Sequence, residues 1–86
     1  MQRIKTQDEF IEAVNEGKTL WFNDINYISK DKDGSILIRC RYGAFAAGGN
    51  ELIKSDDDKF VTLIERLSPS VYYVIASIFV KDWVIL

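Results

Sequence analysis

The octapeptide SILIRCRY, residues 35–42, alternates strictly between two sets of side chains. One set is Ile36, Ile38, Cys40 and Tyr42, and the other is Ser35, Leu37, Arg39 and Arg41. A period of two indicates a β-strand with one buried face. The preceding segment TLWFNDINYISK is rich in aromatic and β-branched residues, and the intervening DKDG ends in an Asp-Gly turn signal. We therefore predict a β-hairpin, so the fold must contain an antiparallel sheet.

A first helix is predicted over residues 7–16. Thr6 and Glu9 have the spacing of a capping box, in which each side chain bonds the main chain of the other residue. Phe10 and Val14 follow on one helical face. Gly17 then supplies the left-handed position that commonly ends a helix.

A second helix is predicted over residues 56–67. Ser55 is a good N-cap, and the three aspartates that follow it would interact favourably with the positive N-terminal end of a helix dipole. Ser68-Pro69 would end the helix. Its buried stripe would consist of Phe60, Val61, Ile64 and Leu67.

The C-terminal segment VYYVIASIFVKDWVIL is apolar except for Lys81 and Asp82. These two charges argue against a membrane span, and the β-branched content favours one or two strands that turn at Lys81. A third helix that starts after Ser68 is the alternative. The predicted fold class is α+β: an antiparallel sheet with two helices on one face, in the order helix, strand, strand, loop, helix, strand or strands.

Composition limits the compartment and the class of partner. The 86 residues suit a single small domain over residues 1–86, with 48% hydrophobic side chains and a formal net charge of −2. This charge provides no general attraction for nucleic acid. Cys40 is the only cysteine, and the N-terminus lacks the apolar run of a signal peptide. We therefore predict a cytoplasmic protein.

The residues needed for common catalytic sites are missing. The chain has no histidine, which removes the usual general base, and Cys40 falls on an apolar face. The DKDG turn does not fit a calcium loop, since Tyr42 occupies the position that requires glutamate. The stretch GAFAAGG, residues 43–49, does not match a phosphate-binding motif and is predicted to be a surface loop. We predict no catalytic, cofactor-binding or metal-binding residues, and no enzyme, although carboxylate chemistry stays open.

Partner binding is the predicted function. Arg39 and Arg41 share one sheet face, and Tyr42 and Phe45 follow directly. Trp21 lies in the other strand of the hairpin. Arginine beside aromatic residues is typical of protein-binding hot spots, so these five residues form the predicted site.

Two alternatives concern the same residues. The arginines could instead form a solvated face and pair with Asp24, Glu51 or the aspartates at 56–58, and Phe45 could fill the core. Arginines and aromatics also suit single-stranded nucleic acid. A further alternative is an oligomer that sequesters a small molecule between its subunits.

The segment TQDEFIEAVNEGKTLWF, a capped helix followed by Gly17-Lys18 and a strand, resembles the start of many small phage and prophage proteins. The resemblance covers about a fifth of the chain. It implies a mobile-element protein that acts by binding a host or phage component. With the missing catalytic residues, it leads to the prediction of a non-enzymatic inhibitor or modulator of a host protein, which also self-associates.

Overall fold

A computed structural model describes the backbone of residues 1–86 and all side chains except those of residues 45–47. It contains one helix, α1 (Gln7–Asn15), and nine strands. The strands are β1 (Gln2–Arg3), β2 (Leu20–Trp21), β3 (Tyr27–Lys30), β4 (Ile36–Cys40), β5 (Gly43–Gly49), β6 (Glu51–Lys54), β7 (Phe60–Ser68), β8 (Val71–Phe79) and β9 (Val84–Ile85).

All strand pairs are antiparallel and form two sheets. The larger sheet has the order β1-β9-β2-β3-β4-β5, and the smaller has the order β6-β7-β8. Strands hold 49% of the residues and the helix holds 11%. The predicted α+β class with two helices is therefore wrong, and the fold is mainly antiparallel β with one short helix.

Helix α1 begins as the sequence predicts. Thr6 Oγ1 accepts a hydrogen bond from the main-chain N–H of Glu9 at 3.1 Å, and Glu9 Oε2 accepts one from Lys5 N–H at 2.9 Å. Gly17 ends the helix with φ +85°. The capping signals thus locate α1 to within a residue at its C-terminal end.

The central hairpin is confirmed in β3 and β4, where Ile28 pairs with Ile38. Gly34 has φ +91° in the turn, a conformation that glycine adopts without strain. The first predicted strand is divided, however. Asn23 Oδ1 accepts from the main-chain N–H groups of Ile25 and Asn26, which turns the chain between β2 and β3.

The second predicted helix is wrong, because residues 60–68 form β7. Ser55 Oγ accepts a hydrogen bond from the main-chain N–H of Asp57 at 3.1 Å, and Asp57 Oδ1 accepts one from the N–H of Lys59 at 3.0 Å. These side chains therefore stabilise a tight turn instead of capping a helix. Leu63 and Ile64 are adjacent in β7, and both side chains are fully buried, so the strand departs from a simple alternation of buried and exposed residues. Adjacent buried residues are what made the segment resemble an amphipathic helix.

The predicted loop over GAFAAGG is also wrong, because these residues form β5 and pair with β4. Gly49 lies directly against β7, and a Cβ atom at this position would overlap Leu63 Cδ1. The glycine therefore lets the Leu63 side chain pack directly on the β5 backbone, and such close approach is a recognised use of glycine within strands. The C-terminal segment forms strands β8 and β9, as predicted, with a turn at Lys81 and Asp82.

The core lies between α1 and the inner faces of the two sheets. Phe10 and Val14 of α1 are fully buried in one cluster with Leu20, Ile28 and Val61. Phe10 meets Trp83 edge to face, with ring centroids 5.5 Å apart. In the described part of the chain, no helix has the length and apolar character needed to cross a membrane.

Candidate protein-binding face

Three side chains from adjacent strands of the larger sheet lie in register. Trp21 of β2 is paired with Tyr27 of β3, and Tyr27 is paired with Arg39 of β4. Strands are about 4.8 Å apart, so this row extends roughly 10 Å from tryptophan to arginine. We call Trp21, Tyr27 and Arg39 the aromatic–arginine row.

The row lies on the face of the sheet opposite the core. The neighbouring register positions, Leu20, Ile28 and Ile38, are paired across the same three strands and are buried. Because successive strand residues point to opposite faces, the row points away from this core. Helix α1 and the smaller sheet both contribute to the core cluster, so both pack on the other side.

The two aromatic residues of the row support each other. The ring centroids of Trp21 and Tyr27 are 4.8 Å apart, with an interplanar angle of 44°. Both side chains are half-buried. Aromatic pairs of this kind add about 0.5–1.5 kcal/mol beyond their buried area, so each ring helps to hold the other in place.

Arg39 is exposed at one end of the row. No acidic side chain among the described residues forms an ion pair with Arg39 or Arg41. The predicted pairing of these arginines with Asp24, Glu51 or the aspartates at 56–58 is therefore not found, and Glu51 instead accepts from Arg66 Nε at 2.9 Å. Both guanidinium groups keep their hydrogen-bonding capacity for another molecule.

The remaining predicted site residues lie beyond β4. Arg41 and Tyr42 form the turn between β4 and β5, and Tyr42 is 88% exposed. The prediction for Phe45 falls on a side chain outside the described residues. The structure thus brings Trp21 and Arg39 into one row and places Arg41 and Tyr42 at the end of β4.

Tyr27 belongs to the row but was missed in the sequence. The sequence feature that indicates its position is the turn at Asn23, which reverses the chain and brings Tyr27 opposite Trp21. Asparagine side chains commonly accept main-chain N–H groups two residues ahead, so this turn could have been expected. The turn was missed because the segment TLWFNDINYISK was interpreted as one continuous strand.

A shallow apolar cleft of about 280 Å³ lies on the inner side of the larger sheet. Phe22 and Trp83 meet there, with ring centroids 5.5 Å apart. Trp83 Nε1 donates to the Phe79 carbonyl at 2.7 Å. The cleft therefore offers an apolar surface with few free polar groups, and its volume is slightly below the range of about 300–1,000 Å³ usual for small-molecule pockets.

Cys40 is a free, half-buried thiol. It lies at the end of β4 and pairs in register with Gly43. The predicted burial among apolar residues is therefore only partial.

Comparison of this chain with family models, curated proteins and solved structures gives no match.

Proposed function

We propose that this protein is a non-enzymatic binding module that captures an acidic surface of another protein. The observation that carries the proposal is the aromatic–arginine row: Trp21, Tyr27 and Arg39 lie in register on the sheet face opposite the core, and Arg39 has no acidic partner among the described side chains.

The chemistry of the row suits a protein surface with carboxylates. Tryptophan, tyrosine and arginine are the residues most enriched at energetic hot spots. Trp21 and Tyr27 offer apolar area at a small entropic cost, because their packing already restricts both rings. Arg39, with Arg41 beyond it, can form two parallel hydrogen bonds to a carboxylate.

The turn at Arg41 and Tyr42 extends this surface along the chain. Tyr42 is almost fully exposed, and a tyrosine supplies both an apolar ring and a hydroxyl for hydrogen bonding. The partner-binding residues in this proposal are therefore Trp21, Tyr27, Arg39, Arg41 and Tyr42.

Single-stranded nucleic acid is the second candidate, favoured by the same two arginines beside aromatic rings. Bases would stack on the rings, and phosphates would pair with the arginines. The formal net charge of −2 opposes this alternative, because long-range repulsion would act against a polyanion. Sequestration of a small apolar molecule in the cleft beside Trp83 is the third candidate.

The biological setting is part of the same proposal. The resemblance of the first helix and strand to small phage and prophage proteins supports a role as an inhibitor or modulator of a host protein. The free thiol of Cys40 is compatible with a reducing cytoplasm. Self-association belongs to the proposal as well, and the exposed strand β8 supplies a surface for it.

The test is affinity capture from a nuclease-treated lysate of the producing cells, with bound proteins identified by mass spectrometry. Wild type, Trp21→Ala and Arg39→Ala serve as baits, and Lys32→Ala is the matched control because it removes an exposed positive charge in the distant β3–β4 turn. Circular dichroism first establishes that every bait is folded.

We expect a partner that is captured by wild type and Lys32→Ala and is lost with Trp21→Ala and Arg39→Ala. A partner retained by both row variants would show that binding occurs elsewhere. Equal loss with Lys32→Ala would indicate general charge attraction instead of recognition by the row.

A further inference from the structure

Strand β8 forms one edge of the smaller sheet. It pairs with β7 along its length, and no strand of the described chain pairs with its other side. In an antiparallel ladder, alternate residues direct their N–H and C=O groups away from the neighbouring strand. β8 therefore presents a row of unpaired main-chain groups over residues 71–79.

One end of this edge is closed. Val80 N–H donates to the Lys59 carbonyl, so the preceding residue, Phe79, directs its main-chain groups away from β7. The Phe79 carbonyl accepts from Trp83 Nε1 at 2.7 Å. The indole ring thus covers the C-terminal end of the edge and leaves residues 71–77 open.

The open part lacks the charged residues and the proline that commonly protect a strand edge. The nine residues of β8, VYYVIASIF, include no charged residue and no proline. Lysine, proline or inward charges usually prevent such edges from pairing with other chains. The extra residue Ile75 makes one bulge opposite Leu63, but the segment before it runs in regular register from Tyr72 to Val74.

The same segment is strongly apolar and exposed. Val71, Tyr72, Tyr73 and Val74 are each between 50% and 66% exposed. Because neighbouring residues point to opposite faces, apolar side chains are uncovered on both sides of the edge. Arg66 covers Tyr72 only in part, with its guanidinium carbon 5.6 Å from the ring centroid.

We infer that the occupant of this edge is a second copy of the chain, with the two β8 strands antiparallel about a twofold axis. In an isologous interface residue i of one copy meets residue j of the other and j meets i, so a lone charge on the edge would enter an apolar interface without an opposite charge. β8 carries none. The strand is therefore compatible with its own sequence as a partner.

The exposed area is enough for a weak dimer at most. Val71, Tyr72, Tyr73 and Val74 are each about half exposed or more, so complete burial of their uncovered parts in two copies would remove on the order of 800 Å², the size of a weak interface. Continuous pairing would join the two smaller sheets into one six-stranded sheet. The dimer deepens the self-association in the proposed function but does not rest on the aromatic–arginine row, which lies on the larger sheet and stays free for another protein.

The test is the molar mass of the wild-type chain by sedimentation as its concentration is raised, compared with Val74→Lys and the control Leu86→Lys. Val74 and Leu86 are both exposed, so neither lysine disturbs the core. We expect wild type and Leu86→Lys to reach twice the monomer mass and Val74→Lys to stay monomeric. A wild type that stays monomeric at about 1 mM, or a Val74→Lys variant that still dimerises, would overturn the inference.

Hydrogen exchange of the wild type tests the same edge without a substitution. In the dimer, amide protons in residues 71–77 that point away from β7 should exchange more slowly at high concentration than at low concentration. Concentration-dependent protection in another segment, with none in β8, would place the interface elsewhere. A chain that stays monomeric at all concentrations would overturn the inference, and would favour an extended segment of a different protein as the occupant of the edge.

Discussion

The side-chain amide of Gln7 donates to the main-chain carbonyl of Asp57 at 2.9 Å, and so joins the first turn of α1 to the turn before β7. The same nitrogen donates to the Ser55 carbonyl at 3.1 Å. Gln7 is only 7% exposed and is the one buried polar residue among the side chains that the structure describes. Its two hydrogen bonds explain why an amide is tolerated there, since buried polar groups are costly when unpaired.

Replacing Gln7 by Met should lower the free energy of unfolding by about 1–3 kcal/mol. Methionine is similar in shape but cannot donate, so the two carbonyls in the β6–β7 turn would lose a buried partner. Urea denaturation followed by circular dichroism measures the change. The exposed residue Gln2 provides the control: Gln2→Met should alter stability by less than about 0.5 kcal/mol. Equal stability of Gln7→Met and wild type would contradict this role.

Gly49→Ala should destabilise the protein by about 1–3 kcal/mol, because the added methyl group would overlap the Leu63 side chain. The effect should be smaller in a Leu63→Ala background, where the space is empty, and a double-mutant cycle measures this coupling. Ala44→Ser changes an exposed residue of the same strand and should have little effect. Additive losses in the cycle would show that the Gly49–Leu63 contact is not the cause.

Thr6→Ala should lower the free energy of unfolding by about 1 kcal/mol, because the Glu9 amide loses its acceptor at the start of α1. Thr6→Ser retains the hydroxyl and should recover most of the loss. Thermal denaturation of the two variants beside wild type distinguishes them. If Ser and Ala at this position are equally stable, the cap does not contribute.

A fluorescently labelled single-stranded oligonucleotide should bind weakly and without saturation in anisotropy titrations at physiological salt. The net charge of −2 opposes a polyanion, and only two arginines near the row lack acidic partners among the described residues. Tight binding at low salt that falls steeply as salt rises would instead support nucleic-acid recognition, because released counterions scale with phosphate contacts.

Local signals in the sequence located several elements correctly. Thr6 and Glu9 supply both halves of a capping box, and Gly17 follows at the expected end of the apolar stripe, so α1 was predictable. The Asp-Gly turn at residue 34 likewise fixed the hairpin, because few other residues tolerate its positive φ. These signals act over a few residues and do not depend on the rest of the fold.

The failed predictions concern contacts between distant segments. Ser55 and Asp57 have the chemistry of a helix cap, but the carbonyls of their turn bond to Gln7, almost fifty residues earlier. The burial of both Leu63 and Ile64 depends on the segments that pack against β7 from elsewhere in the chain. Gly49 was interpreted as part of a loop because the need for a small residue arises from Leu63. No short sequence pattern indicates any of these contacts, because each depends on a residue in a distant segment.

The candidate site was partly accessible from the sequence. Alternation placed Arg39 on the outer face of β4, and the hairpin brought Trp21 into the same row, whereas Arg41 lies in the turn beyond the strand. The contribution of Tyr27 depended on the turn at Asn23, and the open edge of β8 depended on the strand order of the smaller sheet. Strand order is set by the whole chain, so no single segment could reveal it.

The most direct test of the proposed function is the affinity of the captured partner for wild type and Arg39→Ala, measured by calorimetry with Lys32→Ala as the control. Loss of a hot-spot arginine should weaken binding at least tenfold, or about 1.4 kcal/mol, while Lys32→Ala stays within about twofold of wild type. Equal affinity of wild type and Arg39→Ala would contradict recognition through the aromatic–arginine row.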